Sequence, residues 1–323
     1  MKIFITGGTG FLGQRVIRRL RQEYSDISGL ARSSGSSKML EALAVNPVLG
    51  SLENIDQWKD GLSGVDVVIH CAAPVEFWGS WDKYQKGIVE ATEALFLAAE
   101  REGVKRFIFV SSESVLQDRK DLMDIDESEP YPESPNSFYG KAKMLAEQFI
   151  LARNSPMESI IIRPTFIWGK GVKALDTLIE KVKSGGFMWI GHGKSFFEMV
   201  HVDNAAEAIA LACVKGTHRN VYFVTDGNPQ PVKVFLTKLL ATRGIVPPEK
   251  SIPKGIAEML AGMVENVWRT FNIRTYPPIT RFDLAFVAMG RKYRIDKIKK
   301  DLGYEPVVSE QDGLKAMSMG NGA

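Results

Sequence analysis

Short apolar runs alternate with longer amphipathic stretches through the first half of the chain. The apolar runs occupy residues 2–6, 26–32, 65–73, 106–112 and 159–165, and the amphipathic stretches occupy residues 12–23, 37–45, 84–103 and 137–153. Runs of the first kind are typical of strands, and those of the second are typical of helices. Their alternation predicts βαβ units and a parallel sheet. Continuously apolar strands such as 67–69 and 160–162 indicate a sheet covered on both faces.

The pattern loosens beyond Thr165, where prolines divide the chain into short elements. These prolines are Pro229, Pro231, Pro247, Pro248, Pro253, Pro277 and Pro278. We predict an α/β fold, a Rossmann-type doubly wound parallel sheet with a smaller C-terminal substrate lobe. The cofactor-binding domain spans residues 1–165, and strand-like runs within residues 196–226 return to it. Residues 166–195 and 227–323 form the substrate-binding lobe.

The composition is that of an ordinary globular protein. The chain has 323 residues, 45% hydrophobic and 24% charged, with a formal net charge of +3. The lysine-rich residues 297–300 are typical of a solvated helix face, so we expect no nucleic-acid partner. No apolar run reaches the length of a membrane-spanning helix, and the first residues are typical of a strand rather than a signal peptide.

The cysteines and histidines indicate whether disulfides or a metal site are to be expected. Cys71 and Cys213 have apolar or small neighbours, which predicts buried free thiols and a cytoplasmic location. The four histidines have no metal-ligand spacing, so we expect no metal site.

A glycine-rich loop joins the first predicted strand to the first predicted helix. Gly7, Gly10 and Gly13 follow the strand directly and open the helix. Glycines there allow a tight turn, a close approach of backbone to a pyrophosphate, and helix–strand packing. The helix N-terminus offers free N–H groups and a positive dipole end to phosphates. We therefore predict a dinucleotide-binding loop rather than a simple tight turn.

The residues after the second strand bear on which dinucleotide binds. An acidic residue here would bind the 2′-hydroxyl of the adenine ribose. The chain instead has Ala31 and Arg32, followed by Ser33 and Ser34. A guanidinium matches the oxygens of a 2′-phosphate, and serine hydroxyls can add hydrogen bonds. We expect NADP(H) in preference to NAD(H), although Arg32 also fits a simple surface cation.

Two tyrosines stand four residues before a lysine. Tyr139 opens a helix after a turn-rich stretch, and its side chain shares a helix face with Lys143. Ser112 ends the preceding strand, at the sheet edge where open α/β sheets bind ligands. Tyr293 and Lys297 lie in the last third of the chain, and we expect them to lie far from any strand that ends in serine. We predict that Tyr139 and Lys143 are the functional pair.

The sequence resembles the extended short-chain dehydrogenase/reductases over nearly its whole length. Six segments occur in the family's order: "TGGTGFLG", "VDVVIHCAA", "VSSESV", "YGKAK", "RPTFIWGKG" and "HVDNAAEAI". The C-terminal segment from Pro277 to Pro306 and the stretch after the fourth strand look closest to the 3β-hydroxysteroid dehydrogenase-like branch. That branch also includes bacterial reductases of long-chain 2-alkyl-3-oxoacids.

The resemblance assigns roles to particular residues. Tyr139 would be the acid/base and Lys143 its partner, which also binds the nicotinamide ribose. Ser112, preferred to Ser111, would hold the substrate carbonyl oxygen. The implied cofactor-binding residues are Gly7, Thr9, Gly10, Phe11, Leu12, Gly13, Arg32, Ser33, Ala72, Ala73, Lys143 and Pro164. Ile88 stands where the family often has a structural asparagine, so that asparagine's role is in doubt.

A free tyrosine, with a pKa near 10, is a poor base at neutral pH. We therefore expect the Lys143 ammonium to lower the Tyr139 pKa.

The lobe gives an indication of substrate. Residues 253–271 carry large apolar side chains at helical spacing. An apolar pocket for a sterol-like or long acyl substrate is one interpretation, and a helix packed on its own domain is the other. The same helix could also contact a membrane surface peripherally. Family resemblance suggests a homodimer through the helices at 84–103 and 137–153.

The predicted function is an NADP-dependent oxidoreductase that interconverts a ketone and a secondary alcohol on a bulky hydrophobic substrate. One alternative is a nucleotide-sugar epimerase with a tightly retained NAD, against which Arg32 speaks. A dehydratase of the family would carry adjacent Asp-Glu, whereas this chain has Glu113 and Ser114. The other alternative is an NADP-sensing regulator, which would typically have lost Tyr139 or Lys143.

Overall fold

The computed structural model describes residues 1–74, 78–271, 273 and 275–319. Within them the strands are β1 (Ile3–Thr6), β2 (Ile27–Ala31), β3 (Asn46–Leu49), β4 (Val67–His70), β5 (Arg106–Val110), β6 (Leu122–Ile125), β7 (Glu158–Pro164), β8 (Phe166–Trp168), β9 (Trp189–Ile190), β10 (Phe196–Phe197), β11 (Met199–His201), β12 (Asn220–Val224), β13 (Gln230–Pro231), β14 (Ser251–Ile252) and β15 (Arg291–Tyr293). The α-helices are α1 (Phe11–Leu20), α2 (Ser34–Glu41), α3 (Trp81–Tyr84), α4 (Ala91–Arg101), α5 (Phe138–Ala152), α6 (Lys173–Lys183), α7 (Val202–Ala212), α8 (Val232–Ala241), α9 (Lys254–Thr270), α10 (Arg281–Ala288), α11 (Asp296–Leu302) and α12 (Glu310–Ser318).

A parallel sheet forms the centre of the molecule, and this confirms the predicted Rossmann-type fold. Seven strands of the described chain are ordered β3-β2-β1-β4-β5-β7-β12, and every neighbouring pair is parallel. The chain builds outward from β1 in one direction and then from β4 in the other. The strand order therefore reverses between β1 and β4, where such sheets bind ligands beyond the carboxyl ends of their strands.

Helices cover both faces of the sheet. Successive side chains of each strand point to opposite faces, so each strand contributes residues to two separate cores. Ile3 and Ile5 of β1 join a core that includes residues of α1, α7 and α11. Phe4 lies between them in sequence and joins the other core, with residues of α4 and α5. This division explains why β1, β4 and β5 are apolar along their whole length.

Two elements differ from the pattern in the sequence. β3 was not predicted, because it is a short edge strand that contains Pro47 and has no buried residue. The single helix predicted at 84–103 is divided into α3, a π-helical turn at Gln85–Glu90, and α4. Ile88 lies in that π-helical turn and is buried.

After Thr165 the chain leaves the main sheet and later returns to it in strand β12. Of the two strand-like runs predicted to return, residues 220–224 form β12 beside β7. β11, from the other run, pairs with β8 in a separate two-stranded sheet. α7 then packs on α1, where Arg19 forms an ion pair with Glu207. The division into two domains remains a prediction.

The lobe has an aromatic core of its own. Trp168, Phe187, Trp189, Phe197 and Phe235 are buried together in it. α9 and α10 pack on each other beside this core. No helix within the described residues is both long and apolar enough to cross a bilayer.

Candidate active site

The glycine loop between β1 and α1 is shaped by close backbone approaches. Gly7 has a φ of +72°, and a Cβ there would lie 2.7 Å from the Ala72 nitrogen. A Cβ on Gly13 would lie 2.1 Å from the Gly7 carbonyl oxygen. The Gly10 N–H donates to that oxygen at 3.0 Å, and Gly10 caps α1 without a side chain. The first amides of α1 therefore keep their capacity to donate to phosphate oxygens.

The other predicted loop residues surround this turn. Thr9 accepts a hydrogen bond from the Gln14 side chain through its carbonyl oxygen, at 3.0 Å. Leu12 packs partly buried on the sheet core, and Phe11 packs on the aromatic core of the lobe. The loop is thus packed on both the sheet and the lobe, and its backbone geometry fits a dinucleotide pyrophosphate.

A buried polar chain that was not predicted joins the ends of β1 and β4. The Thr6 hydroxyl lies 2.7 Å from His70 Nδ1, and His70 Nε2 lies 3.1 Å from the Thr92 hydroxyl. The Ala72 N–H donates to the same Thr6 oxygen at 3.3 Å. Burial lowers the pKa of His70 to about 3, so the ring stays neutral and structural. In the sequence the only sign of these contacts is that the two apolar runs end in polar residues, Thr6 and His70, which the structure pairs directly.

Ala72 and Ala73 follow β4 and are half-buried. Pro164 ends β7 at the same sheet edge and is buried. The structure therefore places these three residues at the carboxyl edge, where the glycine loop also lies.

Arg32 and Ser33 lie at the carboxyl end of β2. Arg32 is exposed directly after the strand, and Ser33 is the N-cap of α2. The Ser33 hydroxyl accepts from the Ser36 N–H at 3.2 Å, and Ser36 reciprocates toward the Ser33 backbone. Ser33 is therefore a helix cap. Arg32 is the charged side chain that faces solvent at the carboxyl end of β2.

Ser112 and Tyr139 are brought together at the carboxyl edge, as the sequence predicts. The two side chains share a hydrogen bond. Ser112 follows β5 and also accepts from the Ser114 N–H at 3.2 Å. Ser137 caps α5 by accepting from the Gly140 N–H at 3.0 Å, which starts the helix one residue before Tyr139. The other serine, Ser111, is buried and has no hydrogen-bond partner for its hydroxyl within the described residues.

Lys143 lies one helical turn beyond Tyr139 and is almost fully buried. Its ammonium donates to the Val110 carbonyl oxygen at 2.7 Å and lies 4.5 Å from the centre of the Phe109 ring. Burial lowers the pKa of Lys143 to about 8, while the charge of Glu147 acts in the opposite direction. Lys143 is thus fixed against the end of β5. It lies next to Ser112 and the helical turn Glu113–Val115 that follows, which we together call the serine turn.

The predicted lowering of the Tyr139 pKa by Lys143 is not found. Burial raises the pKa of Tyr139 to about 12, and the hydrogen bond with Ser112 only reduces that rise. The Lys143 ammonium is directed at the Val110 carbonyl instead. At neutral pH the phenol of Tyr139 is therefore protonated.

Glu147 continues the same face of α5 and anchors it to the sheet. Its carboxylate accepts from Arg163 Nη2 at 2.6 Å and from the Tyr131 hydroxyl at 2.6 Å. Both ends of the Glu147–Arg163 pair are buried. The side chains of Tyr139, Lys143 and Glu147 therefore follow one another along one face of α5. Glu147 is held in place by its two hydrogen-bond donors.

A second buried network was missed by sequence reasoning, and it corrects our placement of Tyr293. The Tyr293 hydroxyl donates to Glu113 at 2.5 Å, and Arg291 Nη1 donates to the same carboxylate at 3.2 Å. Glu113 follows Ser112, so β15 reaches the serine turn although it was expected to lie far from it. Burial raises the pKa of Tyr293 well above 10, and Lys297 lies over the Tyr222 ring. Tyr293 and Lys297 therefore do not repeat the arrangement of Tyr139 and Lys143.

The end of α9 lies over the N-terminus of α5. The Arg269 guanidinium of α9 lies 4.8 Å from the centre of the Trp78 ring and 4.5 Å from that of the Phe138 ring. These three residues line a small cavity beside Tyr84 and Ser137. Phe138, which lines this cavity, directly precedes Tyr139 in α5.

Helix α9 packs on α10, and both interpretations of residues 253–271 remain predictions. Several of its large apolar side chains are exposed, whereas Val264 and Trp268 are half-buried. Smaller residues face the protein instead.

Known proteins resemble this chain over most of its length. The model of the 3-beta hydroxysteroid dehydrogenase/isomerase family matches residues 4–254. A 4-hydroxy-2-methyl-3-oxo-4-farnesyl-3,4-dihydroquinoline-1-oxide ketoreductase of Stigmatella aurantiaca is 35% identical over 98% of this chain and 96% of its own length. A decarboxylating sterol-4-alpha-carboxylate 3-dehydrogenase of Dictyostelium discoideum is 31% identical over 97% of this chain and 98% of its own. A 2-alkyl-3-oxoalkanoate reductase of Stenotrophomonas maltophilia is 30% identical over the full length of both chains.

Solved structures share the fold. A UDP-glucose 4-epimerase of Thermotoga maritima superposes with a TM-score of 0.75 and covers 99% of this chain and 98% of its own. Its sequence is 21% identical, so the likeness concerns the fold and not the reaction.

Proposed function

The chain belongs to the 3-beta hydroxysteroid dehydrogenase/isomerase family of extended short-chain dehydrogenase/reductases, and we propose that it is an NADPH-dependent reductase of bulky hydrophobic ketones. It is an NAD(P)-dependent oxidoreductase acting on hydroxyl or keto groups. We further propose which cofactor it uses, in which direction the reaction runs, which class of substrate it binds and which residues act on that substrate.

One observation carries the proposal: Ser112 and Tyr139 share a hydrogen bond at the sheet edge, with Lys143 one turn behind. A carbonyl oxygen placed between the two hydroxyls would accept from both. When bound, the nicotinamide supplies the hydride to the carbonyl carbon. Tyr139 Oη then donates its proton to the oxygen, which becomes the hydroxyl of a secondary alcohol. Ser112 Oγ would hold that oxygen in place, and Lys143 would hold the nicotinamide ribose.

We propose reduction as the working direction. Burial raises the pKa of Tyr139 to about 12, so at neutral pH the phenol carries the proton that reduction of a ketone consumes. Oxidation would need the phenolate as a base, and burial disfavours that form.

The cofactor is proposed to be NADPH rather than NADH. Arg32 follows β2 where the adenine ribose lies in this fold. Its guanidinium is exposed and stands beside the capped N-terminus of α2, which adds a positive dipole end. Both features favour a 2′-phosphate. The glycine loop would hold the pyrophosphate, and Ala72, Ala73 and Pro164 would line the nicotinamide side.

The substrate is proposed to be a ketone on a large apolar body. The named relatives act on a farnesyl quinoline, a sterol carboxylate and 2-alkyl-3-oxoalkanoates. Residues 166–195 and 227–323 would bind that body, because the end of α9 lies over the N-terminus of α5, which carries Tyr139.

The test is a side-by-side screen of NADPH oxidation with ketosteroids, long-chain β-keto acids and UDP-sugars. We expect turnover with a member of the first two classes. Tyr139→Phe should retain NADPH binding, measured by cofactor fluorescence, and lose turnover by about 10²- to 10⁴-fold, the range that positioned proton transfer contributes. Activity confined to UDP-sugars, or full activity in Tyr139→Phe, would refute the proposal.

A further inference from the structure

Gly140, the third residue of α5, lies directly against the serine turn. A Cβ at this position would lie 2.5 Å from the carbonyl oxygen of Ser114 and 3.2 Å from its carbonyl carbon. Even favourable contacts between a C–H group and a carbonyl oxygen keep the carbon about 3.3–3.6 Å from that oxygen. The two backbones therefore approach each other more closely than a residue with a side chain would allow.

Space rather than backbone conformation explains this glycine. Gly140 lies within α5 and has no positive φ. Its N–H donates to Ser137 Oγ at 3.0 Å, as in any capped helix. Alanine forms helices more readily than glycine does, so what glycine adds at this position is the close approach of α5 to the serine turn.

The serine turn cannot simply yield to a larger side chain, because it is held from its other side. Glu113 accepts hydrogen bonds from two side chains of β15. The Ser114 N–H donates to Ser112 Oγ at 3.2 Å, so a displacement of Ser114 would move the Ser112 hydroxyl. A displacement of α5 would instead move Tyr139, which directly precedes Gly140.

We propose that Gly140 is a positioning residue, which lets α5 approach the serine turn closely enough for Tyr139 and Ser112 to share their hydrogen bond. This role rests on the proposed function, in which the two hydroxyls hold the ketone oxygen. A methyl group at residue 140 would have to lie about 0.8 Å further from the Ser114 oxygen to reach a distance of about 3.3 Å. Displacements of about 1 Å can lower a reaction rate about 10²-fold.

The first test measures the hydrogen bond itself and does not depend on the reaction. Ser112→Ala and Tyr139→Phe each remove this bond, so their effects on the melting temperature of the otherwise wild-type chain should be non-additive by on the order of 2 °C. In the Gly140→Ala background the two effects should add, because the bond is already lost. The control background is Gly313→Ala in α12, where a Cβ would lie 2.5 Å from the Trp168 side chain, and there the non-additivity should persist.

Two results of this first test would overturn the proposal: additive effects in the otherwise wild-type chain, and equal non-additivity in the Gly140→Ala background. A Gly140→Ala chain that does not fold, while Gly313→Ala does, would also overturn it. Gly140 would then be needed for folding rather than for positioning.

The second test measures turnover. Gly140→Ala should lower kcat for the ketone about 10²-fold, while the KM for the ketone and the NADPH dissociation constant, measured by cofactor fluorescence, should change by less than about twofold. Gly313→Ala should leave kcat unchanged. An equal loss of kcat in the two variants, or no loss in Gly140→Ala, would contradict the positioning role. A wild-type chain that reduces no ketone would refute the proposed function, whereas the melting temperatures would still decide the role of Gly140.

Discussion

The burial of Lys143 at the end of β5 is a residue-scale feature with a consequence for pH dependence. The folded chain holds this proton less tightly than the unfolded chain, because burial lowers the Lys143 pKa from 10.5 to about 8. The unfolded chain therefore binds more protons between those two values, and the free energy of unfolding rises with pH there. Below pH 8 the full cost is present, about 3.5 kcal/mol at 1.4 kcal/mol per pKa unit.

Lys143→Met should remove this dependence. The difference in unfolding free energy between the variant and wild type should fall by about 3 kcal/mol from pH 7 to pH 10.5, as wild type recovers its cost. Urea titrations at the two pH values measure it. Lys141→Met on the exposed side of the same helix is the control, and a difference that stays constant with pH in Lys143→Met would contradict the assignment.

Arg32 is a second residue whose role can be tested by itself. Arg32→Asp removes a cation that we expect at the 2′-phosphate and adds a charge that repels it. The KM for NADPH should rise at least about tenfold, the equivalent of one lost charge-assisted hydrogen bond. The KM for NADH should fall or stay the same. Arg101→Asp, an exposed arginine at the end of α4, makes the same charge change elsewhere; a similar rise there would point to a nonspecific charge effect.

Strand β15 is the element whose contacts were hardest to foresee. It pairs with β6, and its Arg291 and Tyr293 side chains hold Glu113 beside Ser112. Glu113 needs these donors, because its burial raises its pKa and disfavours the charged form. Strand β15 therefore positions the turn that begins at Ser112.

Tyr293→Phe tests this link. Removing the hydroxyl leaves a buried carboxylate short of a donor, at a cost of about 1–3 kcal/mol of unfolding free energy. Displacement of the serine turn should also lower kcat/KM for the ketone by about tenfold. Tyr304→Phe is the control, since the Tyr304 hydroxyl is also buried and donates to the Thr225 carbonyl at 3.0 Å. Denaturation and steady-state kinetics should show a stability loss in both variants and a kinetic loss only in Tyr293→Phe.

The parts of the fold that followed from sequence are those with local causes. The glycine loop and the pairing of Tyr139 with Lys143 on one helix face follow from short-range geometry. β3 could not be foreseen because an edge strand with Pro47 has no apolar run. The partners of Glu113 lie 178 and 180 residues away, and nothing in their neighbourhoods in the sequence indicates a carboxylate. The Tyr139 pKa depends on packing around the phenol, which composition does not report.

At the scale of the whole molecule, we predict a homodimer formed through α4 and α5. Ala94 on α4 is exposed, while Leu97 and the α5 residues Leu145 and Phe149 are half-buried on the outer sides of these helices. Sedimentation equilibrium should give the mass of two chains, and Ala94→Arg should shift it to one, because a buried unpaired charge opposes association. Ala241→Arg, at the exposed end of α8, is the control. A single-chain mass for wild type would refute the dimer.

The contact between β15 and the serine turn also sets the order of events during synthesis. A ribosome releases Ser112 and Tyr139 long before it translates Arg291 and Tyr293. Until then, Glu113 has neither of these two hydrogen-bond partners. The outer edge of β7 is likewise unpaired until residues 220–224 have been translated. The nascent chain can thus form its glycine loop early, but it acquires a correctly held serine only near the end of translation. We therefore expect activity only in chains that are long enough to include Arg291 and Tyr293.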